Sequence, residues 1–197
     1  MTLNMADAAP FLDRLKRLYD EMDAAYRAAA EHYGFQCDGC TDNCCLTRFH
    51  HHTHLEYLYL REGFRAMPMD AQTEVRALAD AVIRETAAAE KEGGEIRIMC
   101  PLNTGGRCRL YSRRPMICRL HGVAHELHLP GRPVSRGPGC ALFMQQAEGA
   151  EYFRFDRTPF YREMAMLESG LKQAAGLSTK LKMTVAEMIV TFEEPAL

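Results

Sequence analysis

Four cysteines within nine residues, Cys37-Asp-Gly-Cys40-Thr-Asp-Asn-Cys44-Cys45, constrain this chain more than any other feature. Cysteine packs as a small hydrophobe, yet its use is usually decided by reactivity or metal binding. Asp, Gly, Thr and Asn fill the gaps between these thiols, which predicts an irregular loop. Four more cysteines follow, Cys100, Cys108, Cys118 and Cys140. Eight thiols suit either a disulfide framework or a metal site, and compartment separates the two. The first twenty residues hold no basic start leading into an apolar run, so no secretory signal is expected. A reducing, cytoplasmic setting then favours metal ligation, and 197 residues can bury a core without disulfide staples.

Periodicity supplies the scaffold. Phe11, Leu15, Leu18, Met22 and Tyr26 recur at helical spacing, predicting a helix over about 8–33 closed by Gly34. Thr53 and Glu56 form a capping box for a second helix carrying Leu55, Leu58 and Tyr59 and ending near Gly63. Asp70 is a cap for a third, with Val75, Leu78, Val82 and Ile83 on one face and Gly93-Gly94 as its stop. Ile96 and Ile98 alternate with charged neighbours, and Gly105-Gly106 can turn the chain into a hairpin. Pro115 opens a short helix holding Cys118, and 123–129 reads as a strand. The segment 130–139 is rich in Pro and Gly, and between Cys118 and Cys140 it reads as a loop tied across the metal region. Two or three helices finish the chain, the last opened by Thr184 and Glu187. The expected fold is α+β: a mostly helical single domain over 1–197 with a small irregular β-hairpin portion around a cysteine-bound metal centre. Its motif core covers 35–145 and a C-terminal helical segment covers 150–197.

Cys37-x-x-Cys40 lets one tight turn aim two thiolates at an ion, as structural zinc and iron–sulfur sites both do. Cys44 and Cys45 are different, because adjacent side chains diverge in a regular backbone. Either a multi-iron cluster offers each a separate corner, or they serve two centres, or one of them stands behind the ligand shell. Six arginines (Arg97, Arg107, Arg109, Arg113, Arg114, Arg119) and no acidic residue lie between 97 and 119. A centre with four thiolates is anionic, and nearby guanidinium groups stabilise it. Arg119, directly after Cys118, and Arg114 are the candidates for that support. The stripe also reads as a solvated basic face or a phosphate contact. The net charge of −2 and pI near 6.4 disfavour nucleic acid and anionic membrane as partners, leaving an unknown protein or redox partner. No stretch has the apolar length of a membrane span.

The chain resembles the YkgJ-type cysteine-cluster proteins, the CxxCxxCC putative zinc- or iron-chelating domain. The resemblance is carried by CDGCTDNCC at 37–45, T-H-L-E at 53–56, CPLNTGGRCRLYSRRPMICRLH at 100–121, and Cys140. It implies metal chelation by Cys37, Cys40, Cys44, Cys45, Cys100, Cys108, Cys118 and Cys140. It departs from the family pattern in one respect: Thr41, Asp42 and Asn43, three residues rather than two, precede the Cys44-Cys45 pair. Flagellin lysine methylases carry a similar cluster in a longer chain. No glycine-rich S-adenosylmethionine fingerprint occurs here, so methylation is not carried over.

Soft thiolates accept zinc and iron–sulfur clusters alike. Paired Cys-x-x-Cys knuckles favour zinc, and only one is present; the dispersed cysteines and the vicinal pair favour an iron–sulfur cluster. Three functions follow: a redox, metal-handling or cluster-carrying protein; a zinc-stabilised protein- or nucleic-acid-binding module using the arginines; or an enzyme with an open metal position. His121, at Cys-x-x-His spacing from Cys118, is an alternative ligand. His50, His51, His52 and His54 read as an exposed polar lead-in to a helix or as extra ligands, and His125 and His128 as surface residues. No Ser-centred elbow, P-loop or H-E-x-x-H motif occurs. Met22, Met164, Met166 and Met188 read as core.

Overall fold

The structure is a computed structural model that describes residues 5–37 and 44–192. Cys40 and the loop expected over 38–43 lie outside the described residues. The first helix, α1, runs Met5–His32 and presents Leu12, Leu15, Leu18, Tyr19 and Met22, all buried, along one stripe. Helix α2 (His54–Arg65) is the most enclosed element, buried at ten of its positions. Helix α3 (Met69–Glu92) follows after Pro68. The chain then forms two small antiparallel hairpins, β1 (Asn103–Thr104) with β2 (Arg107–Cys108), and β3 (His125–Leu127) with β4 (Ser135–Gly137). Between them sits the short helix α4 (Met116–Leu120). Helices α5 (Ala141–Gln146), α6 (Thr158–Ala175) and α7 (Val185–Val190) complete the fold. Helix α1 packs on α6 and α4, α3 on α7, and α2 lies among α1, α6 and α7.

Several sequence expectations shift for local reasons. Asp70 does not cap α3; the helix starts at Met69 with Pro68 before it and no side-chain cap. Helix α2 ends at Arg65, near Gly63 as expected, and Gly63 has a second role. It is a close-approach position, where an added Cβ would sit 2.6 Å from Arg113 Cγ. Ile96 and Ile98 alternate with charges but form no strand, since no partner strand pairs with 94–100. The first hairpin turns at Gly105-Gly106 as expected, whose φ of 59° and 82° fit a two-residue turn that other residues enter only with strain. The Pro/Gly-rich segment contains β4 rather than remaining loop throughout, registered with His125 opposite Gly137. Met166 and Leu78 face solvent at 60% and 41% exposure, while Met22, Met164 and Met188 are core as expected.

Two polar anchors organise this frame. Buried Glu126 in β3 accepts bonds from His128 Nε2 at 2.9 Å and Arg136 Nε at 3.1 Å. Its hydrogen bond from His128 is the main cause holding it down to about 2. The Glu126 backbone continues the bonding into 155–157, accepting from Arg157 N–H at 3.0 Å. At the other end, His54 and Glu168 join α2 to α6. The β-bridge of His51 with Met183 ties the start of α2 to the lead-in of α7.

Candidate metal centre

The cysteines arrive on five short segments. Cys37 is exposed on the coil after α1, and Cys44 and Cys45 open a 3-10 turn over Cys44–Leu46. The Cys45 carbonyl accepts the Cys100 N–H at 2.9 Å, and the Cys100 carbonyl accepts that of Asn103 at 2.9 Å. Asn103 is registered with Cys108 across the first hairpin. These bonds weld the vicinal pair to the Cys100–Cys108 segment. Cys118 lies in the middle of α4. Cys140 caps α5, its sulfur accepting the Phe143 N–H at 3.4 Å, while its own N–H bonds the Gly122 carbonyl at 2.8 Å. The preceding Gly139 has φ +89°, and a Cβ there would lie 2.5 Å from the Gly122 carbonyl oxygen. No disulfide joins the seven described cysteines.

The thiols sense one another's charge. Cys44 is raised, first by the hydrogen bond it gives Cys45, then by burial and by Cys45, Cys37 and Cys118. Cys45 is lowered to about 6, mainly by that same bond and further by Asn103 and the Arg114 guanidinium, with burial opposing. Burial pushes Cys100 up to about 12 and raises Cys108. Burial also raises Cys118, with added repulsion from Cys100, Cys108 and Cys45. Cys37 and Cys140 both act on the half-buried Tyr26 hydroxyl. The sulfurs of Cys37, Cys44 and Cys45 and those of Cys100, Cys108 and Cys118 therefore share one electrostatic neighbourhood. Among the described residues, however, no group of three or more His, Cys, Asp or Glu side chains is placed to hold a metal ion.

The two nominated arginines have different surroundings. Arg114 lies 3.5 Å above the Tyr111 ring, donates to the Tyr111 carbonyl at 2.9 Å, and favours the charged forms of Cys45 and Cys108. Arg119 is buried over the Tyr19 ring and bonds Asp23 of α1 at 2.5 Å, the Arg114 carbonyl at 2.8 Å and the Ser112 carbonyl. It braces the Ser112–Arg119 segment against α1. Two of the other four arginines are cross-linked to helices: Arg109 pairs with Glu74 through two 2.7 Å bonds, and Arg113 with Glu62 at 3.2 Å.

The histidines divide. His51 and His54 are 2% and 3% exposed rather than an open lead-in. His121 packs edge-on to Phe49, and His125 and His128 are half-buried.

Two supporting roles escaped the sequence reading. Thr53 caps Glu56 N–H as a capping box requires, but the Glu56 carboxylate does more: it takes the Thr53 hydroxyl at 2.7 Å and the Met116 N–H at 2.9 Å. Glu56 thus seats the helix carrying Cys118 on α2. Asn103 Oδ1 accepts the Gly106 N–H at 3.1 Å, which fixes the amide so that Nδ2 faces inward. That Nδ2 is buried without a hydrogen-bond partner of standard geometry, though it favours the charged form of Cys45. A buried donor left in that state costs about 1–3 kcal/mol. A sulfur carrying negative charge is a group that offsets such a cost. Asn103 precedes a Gly-Gly turn, and that position was its only signal in the sequence.

Comparison with protein families, curated proteins and solved structures gives no match to this chain. Among the described residues, no helix is long and apolar enough to cross a membrane.

Proposed function

We propose that this protein holds a thiolate-ligated metal centre, an iron–sulfur cluster, and uses it in a redox, metal-handling or protein-modification role. The ligands come from Cys37, Cys40, Cys44, Cys45, Cys100, Cys108, Cys118 and Cys140. The observation that carries this reading is the 2.9 Å bond from the Cys100 N–H to the Cys45 carbonyl, which joins two distant cysteine-bearing stretches, 44–45 and 100–118. Gathering thiols that repel one another when ionised costs free energy, and a cation that displaces their protons reverses the sign of that cost. Arg114 supports the reading by adding positive charge beside Cys45 and Cys108. In this reading the protein works in a reducing compartment with a protein or redox partner, and the resemblance to the YkgJ-type proteins points the same way.

Protein purified without air tests it. A brown colour with iron and acid-labile sulfide in stoichiometric amounts is the expected result. Colourless protein with stoichiometric zinc selects the second reading, a zinc-stabilised binding module. The cross-linking of Arg109 and Arg113 to Glu74 and Glu62 weighs against that module using the arginines for capture. Protein that holds neither metal after reconstitution overturns both.

A further inference from the structure

His54 opens α2 at 3% exposure, with its two ring nitrogens turned to different partners. Nδ1–H donates to Glu168 Oε1 at 2.7 Å, which leaves Nε2 to accept from the Thr179 hydroxyl at 3.4 Å. Bonds between a hydroxyl and its base are often long before substrate arrives and tighten around it. A nucleophile beside a base, with the base oriented by a third group, is the arrangement that activates a hydroxyl. Thr179 is exposed, yet its backbone is held: Lys172 Nζ donates to its carbonyl at 2.8 Å. The loop carrying it is tied at one end by the Leu177 N–H to the Lys172 carbonyl at 2.9 Å. At the other end, His51 and Met183 exchange two backbone bonds at 2.8 and 3.0 Å.

This loop walls an open cleft of about 490 Å3, and His54 and Thr179 both line it. Leu177, Leu181 and Met183 give the cleft an apolar side, and Lys180 and Lys182 give it positive charge. Among the described residues, no acidic side chain lines it. We infer that Thr179, His54 and Glu168 form an esterase site, separate from the thiolate centre, for anionic esters of short acyl chains. Thr179 Oγ bonds to the ester carbonyl carbon while its proton passes to His54 Nε2. The tetrahedral adduct then breaks its bond to the alcohol oxygen, which leaves with that proton. Water attacks the acyl-threonine by the same route, giving a carboxylic acid and restoring the Thr179 hydroxyl. Glu168 is the positioning residue, holding the imidazole so that Nε2 meets the hydroxyl.

The full-length protein, purified without air, is given acetoxynitrobenzoate, an anionic ester, or uncharged para-nitrophenyl acetate. Released nitrophenolate gives the rate, and peptide mass spectrometry of acid-quenched samples locates the acetyl group. Acetyl on the Thr179 oxygen is expected, with about 10-fold preference for the anionic ester. Lys180→Gln with Lys182→Gln should remove that preference. Thr179→Val, an exposed and isosteric change, should abolish the adduct, and His54→Gln should slow acylation by about 100-fold. Glu168→Gln keeps an oxygen acceptor without the charge. It should lower the maximal rate by at least about 10-fold and leave the half-saturating concentration as it was, a split that a merely structural role would not give. Acetyl confined to lysines, or the wild-type rate in Thr179→Val, overturns the site. Equal rates on the two esters overturn the anionic substrate. Each outcome is read independently of metal content, so failure here and failure of the metal centre are distinct.

Discussion

His54 Nδ1 donates to Glu168 Oε1 at 2.7 Å, and the same carboxylate accepts the backbone N–H groups of His54 and Leu55 at 3.0 and 3.2 Å. One acidic side chain on α6 therefore satisfies the first amides of α2 and sets the tautomer of a buried histidine. Helix starts carry unpaired N–H groups and a partial positive charge, so a carboxylate is stabilised there. The hydrogen bonds hold Glu168 below the ordinary carboxylate range against the burial that opposes them. Glu168→Leu should destabilise the fold by about 2–4 kcal/mol, through three lost charge-assisted bonds. Urea unfolding followed by circular dichroism measures it.

Arg119 should be as sensitive. Its guanidinium is buried against Tyr19 and bonded to Asp23 and two backbone carbonyls of its own segment. Arg119→Met leaves those two carbonyls and Asp23 without their donor and should cost about 3 kcal/mol. Because Arg119 holds the segment around Cys118, loaded metal should fall in the same variant. Parallel measurements of thermal midpoint and metal content check both effects.

Acid titration should expose His51. Burial holds its imidazole down to about 4, with His50 and His52 adding repulsion, although Glu56 Oε1 lies 4.0 Å away. The unfolded chain takes up this proton near the ordinary value of about 6.5. The unfolded state thus binds more protons between those values, and stability must fall as pH drops from about 6.5 to about 4. The single-group contribution is on the order of 3 kcal/mol across that window. His51→Leu should flatten this part of the stability profile relative to the unaltered protein.

Gly139→Ala should be poorly tolerated. The left-handed backbone and the Gly122 carbonyl 2.5 Å from an added Cβ leave no room for relaxation by a flexible side chain. A loss of at least about 2 kcal/mol is expected, and Cys140, which follows directly, should move with it. Comparing alkylation rates of Cys140 in the two proteins reads that displacement.

Helices were legible wherever period and caps agreed. The stripe of α1 and the Thr184–Glu187 box of α7 depend on neighbours within four residues, and both are present. Non-local pairing was opaque. Strand β4 lies among prolines and glycines and exists only because His125 lies across from Gly137, where the ring fills the space a Cβ would need. Ile96 and Ile98 had the right alternation and no partner strand. The eight cysteines were plain as a set, but the surroundings of Cys45 include Asn103 and Arg114, which fold in from 58 and 69 residues beyond it. His51 and His54 looked exposed because histidine is polar; burial against Met183 and Glu168 is a tertiary fact.

The carboxylates of Asp23, Glu56, Glu62 and Glu74 each reach from one of the first three helices to the stretch between Arg109 and Arg119. That stretch is consequently sewn to a finished helical body by contacts that require no ion. Unlike a zinc finger, which collapses when chelated, this protein should keep its helices when stripped and accept a fresh centre without refolding. For the centre proposed above, loading and unloading would then be reversible steps on a standing frame, the property expected of a carrier or of a site repaired after oxidation.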